Sequence, residues 1–443
     1  MDKSDPKKQN WVNNSNFPFD YCILGLFILV FSFFYFFNLE NVPFHPDEST
    51  QIFMSGDLEI FKKDPSNLIW RAEISLDNRM KYRLLDAPLA REWIGVFRLI
   101  TGKSALLSDW DWTQTWQENE NSGAIPSVGL LSTGRLASSI FFPLDLIFIF
   151  LIGQKIRGKQ MGWLMVFLFS FNALVLLHTR RAMSEGPLLF FIILALWVFL
   201  QNPKYLILSA IPAALAFNSK YSALPLFILG GFTIIVRNWG SIKNLNRILL
   251  HTLAYVLVFL FITFLLNPFL WIHPLQAISM ASQVRQELII RQVYELGELN
   301  PGVVLNSPLK RILAIIGNLF ITPLAFSEVG NYIQNTVSSE RIYLLNSIQN
   351  MFRGFTGGGI NLLLSISGFI FGLIGVRKEP LERNQFLLIL VVGTILQAIF
   401  LCVAFPLPFQ RYVTPLIPFT IFWGALALNE IIDTLKRKIK RAA

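Results

Sequence analysis

The sequence predicts an all-α polytopic membrane protein with about ten transmembrane helices. Of its 443 residues, 53% are hydrophobic and only 15% are charged, whereas about 25% of an ordinary soluble domain is charged. The apolar residues gather in long runs such as 22–37 and 249–266, and about 20 apolar residues in a helix cross the hydrocarbon core. Both cysteines lie inside apolar runs, so no disulfide framework is indicated. These observations exclude a cytosolic enzyme.

The predicted spans follow the apolar runs along the chain. They cover residues 21–38, 131–152, 161–178, 186–200, 205–218, 222–236, 249–267, 358–376, 385–404 and 412–431. The run 312–326 is only 15 residues long and contains Asn318 and Pro323. A run of that length is more typical of an interfacial or re-entrant segment than of a span.

Basic residues predict the orientation of the spans. They cluster near the start of the chain, at 155–159, 237–247 and 377–383, and at 436–441. The positive-inside rule makes all these segments cytoplasmic. We therefore expect a multi-pass plasma (inner) membrane protein with both termini in the cytoplasm. The net charge of +10 is thus mainly topological and does not indicate nucleic-acid binding.

Two long outer segments separate the predicted groups of spans. The expected order is a cytoplasmic tail (1–20), the first transmembrane helix (21–38), an extracytoplasmic catalytic loop with interfacial helices (39–130), helices 2–7 (131–267), a second extracytoplasmic segment with an interfacial or re-entrant helix (268–357), the last three helices (358–431) and a basic tail (432–443). Segment 39–130 holds 14 of the 28 acidic residues but only 9 of the 38 basic ones. Most of the candidate chemistry therefore lies outside the membrane.

Asp47 and Glu48 are the sharpest candidates for catalysis. Two adjacent carboxylates beside lipid repel each other and lose solvent, so the pKa of at least one should rise towards the range of a general base. Such a base takes a proton from a nucleophile and typically accelerates a reaction by about 10² to 10⁴. The structural alternative is that Asp47 caps a helix through Gln51 to Ile60, with Glu48 in its first turn.

Basic residues at the outer ends of the spans form a second set of candidates. They are Arg135, Arg180 with Arg181, Lys220 and Arg411. Positive charge on outer loops opposes the topological trend, and a phosphate at the membrane surface would explain it, since Arg and Lys bind phosphate through charge-assisted hydrogen bonds. The alternatives are snorkelling and a helix pair of Arg181 with Glu185.

Weaker signals concern other residues. Asp145 lies inside a predicted span, and a neutral, hydrogen-bonded aspartate explains it best. Trp110, Trp112 and Trp116 could stack on a sugar ring or anchor the chain at the membrane interface. His273 opens the second outer segment, but a metal site is only weakly signalled, because the chain has four histidines and no His or Cys cluster.

Six short motifs together resemble the GT-C superfamily of membrane glycosyltransferases, in particular the protein O-mannosyltransferase and aminoarabinose transferase branch. The motifs are His45-Pro-Asp-Glu48, Asp86-Ala-Pro-Leu-Ala-Arg91, Gly134-Arg-Leu136, the turn from His178 to Glu185, Phe217-Asn-Ser-Lys-Tyr221, and the stretch from Arg411 to Pro418. Ala87 departs from the pattern, which has a proline there. The resemblance implies a GT-C-type bundle.

The resemblance also implies an activity and roles for individual residues. The activity is inverting transfer of a sugar from a polyprenyl-phosphate donor to an extracytoplasmic protein, lipid or cell-envelope glycan. Asp47, beside Glu48, would be the base or would orient the acceptor. The candidates for the donor phosphate are Lys220, Arg411, Arg180 and Arg135, the last as support for the carboxylates. The candidates for the acceptor or sugar pocket are Tyr221, Tyr412, His45 and Glu185.

The resemblance leaves the cofactor open. No cofactor is required, although some members hold a divalent metal, for which His273 is the one nominee. The expected partners are the lipid-linked donor, membrane lipids and the acceptor. Two other functions stay open from the residues: a membrane glycosidase, which needs two carboxyls flanking one bond, and a transporter or flippase of lipid-linked sugars, which would place polar residues near the middle of the bilayer.

Overall fold

The computed structural model describes residues 17–37, 39–73, 75–238, 245–327, 332–345 and 348–442, and these residues form helices and connecting turns without a strand. The α-helices are α1 (Phe17–Phe37), α2 (Pro46–Met54), α3 (Asp57–Lys63), α4 (Asn78–Leu85), α5 (Leu89–Ile100), α6 (Trp116–Asn121), α7 (Val128–Ser139), α8 (Phe142–Arg157), α9 (Lys159–Ser170), α10 (Ala173–His178), α11 (Glu185–Phe199), α12 (Ala210–Ser219), α13 (Leu224–Asn238), α14 (Leu245–Leu266), α15 (Pro274–Leu299), α16 (Pro308–Ile316), α17 (Ile333–Leu345), α18 (Gly354–Lys378), α19 (Leu381–Ala404) and α20 (Ile417–Ala442).

The helices confirm a multi-pass membrane protein, but not the count of ten spans. Six helical stretches in the described residues are long and apolar enough to cross a bilayer: Val128–Arg157, Tyr221–Asn238, Leu245–Leu266, Gly354–Lys378, Leu381–Ala404 and Gln410–Ala442. Tyr21–Phe37 and Glu185–Phe199 are apolar but shorter. The segment 312–326, predicted to be interfacial or re-entrant, holds the end of α16 and a π-helical turn, Gly317–Ile321.

Several of the predicted spans are interrupted in the structure; the span at 131–152, for example, is divided into α7 and α8. The span predicted at 161–178 divides into α9 and α10, because the side chain of Asn172 accepts the backbone N–H groups of Leu174 and Val175 and so caps a new helix. The span predicted at 205–218 begins with a 3₁₀ turn, Pro203–Ser209, before α12. Local capping therefore decides where an apolar run is one helix and where it is two.

The membrane helices pack closely where side chains are small. Gly368 and Gly372 of α18 face Trp423 of α20, and a methyl group on Gly368 would collide with the carbonyl oxygen of Trp423. Trp423 is only 2% exposed and belongs to the main hydrophobic cluster of the bundle. This close approach fixes α20, whose preceding turn carries Arg411.

The outer segments form two smaller hydrophobic clusters. One joins α2, α5 and α7 through Ile52, Ile94 and Ala137. The other joins α4 to the second outer segment, with Leu84 packed in the same cluster as Val284 of α15. The two outer segments therefore pack against each other, and their helices cover the ends of the membrane helices where the candidate site residues lie.

Candidate active site

The start of α2 positions the two adjacent acids. His45 caps the helix: its Nδ1 accepts the backbone N–H of Asp47 at 3.1 Å, while a Glu48 carboxylate oxygen accepts the backbone N–H of His45 at 3.0 Å. The capping residue is therefore His45, so the alternative in which Asp47 caps the helix is wrong. That alternative also placed one helix through Ile60, whereas α2 ends at Met54 and α3 begins at Asp57.

Glu48 is fully buried and fully hydrogen-bonded. Its two carboxylate oxygens accept the Nε and one terminal N–H of Arg135 at 2.8 and 2.9 Å. They also accept the backbone N–H groups of His45 and Ala182. A carboxylate with four donors and no exposed surface has little capacity left for a substrate. The structure thus favours a positioning role for Glu48 over the predicted catalytic one.

Arg135 is committed to the same cluster. It is 2% exposed, holds Glu48 in a two-pronged pair, and donates to the carbonyl of Leu39 at 3.0 Å and to that of Glu40 at 3.4 Å. These contacts agree with the predicted role of Arg135 as support for the neighbouring carboxylates. They argue against the inclusion of Arg135 among the candidates for the donor phosphate, because its donors are already engaged within the protein.

Asp47 points away from this cluster and pairs with Arg411. Burial alone would raise the pKa of Asp47, but the charge and hydrogen bond of Arg411, helped by the charge of Lys220, lower it from 3.8 to about 2. The expectation of a raised pKa is therefore wrong for Asp47. The reason is a cation that follows it by more than 300 residues in the chain, which adjacency to Glu48 could not reveal.

Lys220 forms a second ion pair beside the first. Its ammonium group lies 2.6 Å from the carboxylate of Glu185, whose side chain is fully buried. The ring of Tyr412 lies 5.2 Å from the Lys220 ammonium and 5.7 Å from the Arg411 guanidinium. The structure thus brings four predicted site residues, Lys220, Glu185, Arg411 and Tyr412, to Asp47, although they come from the ends of separate helices.

Two buried histidines lie beside these ion pairs; the region around Asp47, Arg411, Glu185, Lys220 and the two rings is called the chamber below. His45 and His178 are each 1% exposed, and the charges of Arg181, Arg411 and Lys220 act on both rings. Burial, reinforced by these cations, lowers the pKa of His45 well below its usual range, so its ring is neutral. Within the described residues the Nε2 of His45 and both ring nitrogens of His178 have no hydrogen-bond partner. Buried polar atoms of this kind generally face water or a ligand.

Three other predicted residues lie apart from the Asp47–Arg411 pair. Arg180 stacks on the rings of Tyr35 and Tyr343 at 5.0 and 5.9 Å. Tyr221 packs against Phe217. His273 is exposed at the start of α15. In the described part of the chain, no three His, Cys, Asp or Glu side chains gather to hold a metal ion.

Asp109, which motif comparison did not single out, lies on the other side of Asp47 with Asp86. Asp109 accepts the hydroxyl of Thr50 at 2.8 Å and a hydrogen bond from Tyr82. Burial raises the pKa of Asp86 and of Asp109, and the negative charge of Asp47 raises both further. Arg285, Arg91 and Arg411 act against this rise at Asp86. Asp86 and Asp109 thus add two carboxyl groups to the surroundings of Asp47, with arginines beside Asp86.

The tryptophans of the first outer segment close over the chamber. Trp110 is buried against Phe44, Trp116 and Tyr332, with ring centroids 5.7 to 6.1 Å apart. Tyr332 in turn packs edge-on to His45 at 5.9 Å. Trp112 remains 37% exposed. Trp110 therefore serves packing, whereas Trp112 keeps a face that a sugar or peptide could contact.

Comparison with known proteins identifies the fold of the chain. No protein family and no curated protein sequence matches the chain. Among solved structures, the apo oligosaccharyltransferase of Archaeoglobus fulgidus matches with a TM-score of 0.51 and 14% identity, over 94% of this chain and 52% of that one. ArnT from Cupriavidus metallidurans, bound to undecaprenyl phosphate, matches with a TM-score of 0.50 and 14% identity, over 94% of this chain and 61% of that one.

The chain has the GT-C fold. This confirms the fold that the six motifs predicted. This chain spans about half the length of the oligosaccharyltransferase. At 14% identity, the likeness concerns the arrangement of the helices. In this GT-C fold, the helix ends that carry Asp47, Glu185, Lys220 and Arg411 meet in one chamber.

The buried Glu48–Arg135 pair generates a prediction about stability. Replacing Arg135 by Ala leaves the Glu48 carboxylate buried without its cation, which typically costs about 3 to 5 kcal/mol. We expect Arg135→Ala to lower the free energy of unfolding by that amount in thermal or denaturant unfolding of the purified chain. Arg291→Ala is the control, because its pair with Glu295 is more than 60% exposed on both sides and should contribute less than about 1 kcal/mol. Equal losses would contradict a stabilising role for the buried pair.

The lowered pKa of Asp47 generates a prediction about pH. The carboxylate is 29% exposed, so after screening the shift from 3.8 to about 2 corresponds to about 1 to 2 kcal/mol. Because the pKa is depressed in the folded state, this stabilisation is present above pH 4 and is lost as the pH falls towards 2. We expect the unfolding free energy of the wild type to exceed that of Asp47→Asn at pH 6 and to approach it near pH 2. A difference that does not change with pH would contradict the assignment.

Proposed function

We propose that this chain is a membrane glycosyltransferase that moves a sugar from a polyprenyl-phosphate donor to an acceptor on the outer side of the membrane, with inversion at the anomeric carbon. The observation that carries the proposal is the meeting of Asp47 with Arg411 and Lys220 in one chamber of a GT-C fold. The carboxylate can bind a nucleophile, and the two cations beside it can bind a phosphate.

The cationic side of the chamber suits the donor. Arg411 and Lys220 flank Tyr412 and can donate charge-assisted hydrogen bonds to phosphate oxygens. Support for a lipid-linked donor comes from two neighbours, since the archaeal oligosaccharyltransferase structure contains a dolichol-phosphate and the ArnT structure undecaprenyl phosphate. The chamber lies at helix ends, so a polyprenyl tail can remain in the bilayer while its phosphate reaches these cations.

Asp47 would receive the proton of the acceptor. The acceptor attacks the anomeric carbon, the bond from that carbon to the phosphate oxygen breaks, and the phosphate leaves with an additional negative charge. Lys220 and Arg411 stabilise this charge as it grows. Arg411 now holds the pKa of Asp47 near 2. As Arg411 turns to the phosphate, the basicity of Asp47 rises at the moment when the acceptor proton must be taken up.

The carboxyl groups of Asp86 and Asp109 are suited to binding the acceptor. Asp86 and Asp109 lie close enough for the charge of Asp47 to raise their pKa values, and Trp112 packs on Tyr332 with ring centroids 6.2 Å apart. Carboxylates and an aromatic face can bind hydroxyl groups and an apolar surface respectively. We propose that the acceptor approaches from this side, opposite the donor phosphate.

Replacement of Asp47 tests the catalytic part of the proposal. Asp47→Asn keeps the shape of the side chain but cannot take a proton, so we expect transfer from the polyprenyl-linked sugar to fall by about 10² to 10⁴. The product is first identified by mass spectrometry of glycans and lipids in cells with and without the gene. Transfer is then followed with the purified chain in vesicles.

Asp64→Asn is the matched control for Asp47→Asn. Asp64 lies in the same outer segment, is exposed and caps the turn at Ser66, and asparagine retains the cap. Unchanged transfer in Asp47→Asn would remove Asp47 from the mechanism. Release of free sugar without acceptor would indicate a glycosidase, and flux of the lipid without covalent transfer would indicate a transporter.

Replacement of the two cations tests the donor part separately. We expect Arg411→Gln and Lys220→Gln each to weaken binding of undecaprenyl phosphate by about tenfold or more, because a hydrogen bond to a charged group is lost. Binding is measured by native mass spectrometry or by tryptophan fluorescence of the purified chain. Lys62→Gln, at an exposed lysine of α3, controls for the loss of one charge. Unchanged binding in both site variants would contradict the placement of the phosphate.

A further inference from the structure

At the end of the bundle remote from Asp47, a cleft opens between the last turn of α8 and the last turns of α20. Its volume is about 560 Å³. Four basic residues and two acidic residues line it: Arg157, Lys436, Arg437, Lys440, Glu430 and Asp433. Both helices run away from the catalytic chamber, α20 from just after Arg411 and α8 from Phe142. The cleft is therefore a second polar site, separate from the first.

The acidic residues of the cleft already have partners. Arg157 lies 3.1 Å from Glu430 and 2.8 Å from Glu379. Asp433 accepts the side-chain N–H groups of Gln160 and Asn429 at 3.2 and 3.1 Å. These contacts hold the end of α8 and the start of α9 against α20, and they leave the basic residues of the last two turns of α20 as the dominant charge around the opening.

The length of α20 sets the depth of these basic residues. The helix has 26 residues, so it is about 39 Å long, whereas the hydrocarbon core is about 30 Å thick. If its buried start at Ile417 lies at one boundary of the core, Lys436 and Arg437 lie at the other boundary and Lys440 lies just beyond it. The exposed last turns of α20 are then at the level of the lipid phosphates.

An apolar stripe continues along the same end of α20. Ile431, Leu435 and Ile439 are spaced by four residues, and their exposed fractions increase from 46% to 54% and 67% towards the end of the helix. Residues at this spacing share one face of a helix. An exposed apolar stripe with basic residues on both sides is typical of a helix that contacts acyl chains with one face and lipid headgroups with the other.

We propose that the cleft between α8 and α20 binds the headgroup of an anionic phospholipid, with its phosphate on Lys436, Arg437 and Lys440 and its acyl chains along Ile431 and Leu435. The charge of the cleft, its depth and the apolar stripe all fit a lipid and not a soluble anion. This proposal does not depend on the glycosyltransferase activity and would hold if that activity were different.

Native mass spectrometry of the full chain in detergent tests this site. The probes are phosphatidylglycerol and phosphatidylcholine with identical acyl chains, added in equal amounts. We expect phosphatidylglycerol to be retained at least tenfold better, and the variant Lys436→Gln/Arg437→Gln/Lys440→Gln to lose that preference. Equal retention of both lipids by the wild type would overturn the proposal.

A second triple variant controls for net charge. Lys62→Gln/Lys63→Gln/Lys310→Gln removes three exposed positive charges outside the cleft and should keep the preference. An equal loss in both variants would overturn the proposal, as would displacement of phosphatidylglycerol by millimolar inorganic phosphate, which would indicate a site for a free anion. If the first variant fails to fold, as judged by circular dichroism, Lys440→Glu is used in its place, since Lys440 is exposed near the end of α20.

Discussion

The buried ion pair of Glu48 with Arg135 is the constraint on which the arrangement around Asp47 depends. A buried pair costs several kcal/mol of desolvation for each ion unless its remaining hydrogen bonds are satisfied. Here the backbone N–H groups of His45 and Ala182 satisfy them. The pair therefore joins the start of α2, the helix α7 and the turn before α11. Because neighbouring residues of a helix do not face the same way, fixing Glu48 in this cluster directs Asp47 into the chamber.

In the chamber, each of the two cations is paired with one carboxylate. Arg411 and Lys220 each have a carboxylate partner, Asp47 and Glu185, so the cations are held in place without a phosphate. A phosphate that enters must compete with those carboxylates, and each carboxylate that loses its cation becomes more basic. In the proposed reaction, this arrangement would couple the position of the donor phosphate to the basicity of Asp47. It also explains why the pKa of Asp47 is low while its chamber contains other acids whose pKa values are raised by burial.

Much of the fold could be predicted from the sequence. Apolar runs identified the membrane helices because the bilayer imposes the length and the hydropathy of every helix that crosses it. The interruptions at Asn172 and in Pro203–Ser209 were not predicted, since hydropathy does not report a side chain that caps a new helix. The six motifs predicted the GT-C fold because they carry polar residues at particular helix ends, which is where this fold brings the chain together.

The sequence by itself determined that the chain is a polytopic membrane protein, and it indicated which helix ends carry carboxylates and cations. Only the tertiary structure decided which carboxylate meets which cation. Glu48 pairs across 87 residues of chain, Lys220 across 35 and Asp47 across 364. Two acids that are adjacent in the sequence thus pair with arginines from different parts of the chain, because the fold, and not adjacency along the chain, decides which charges meet in space.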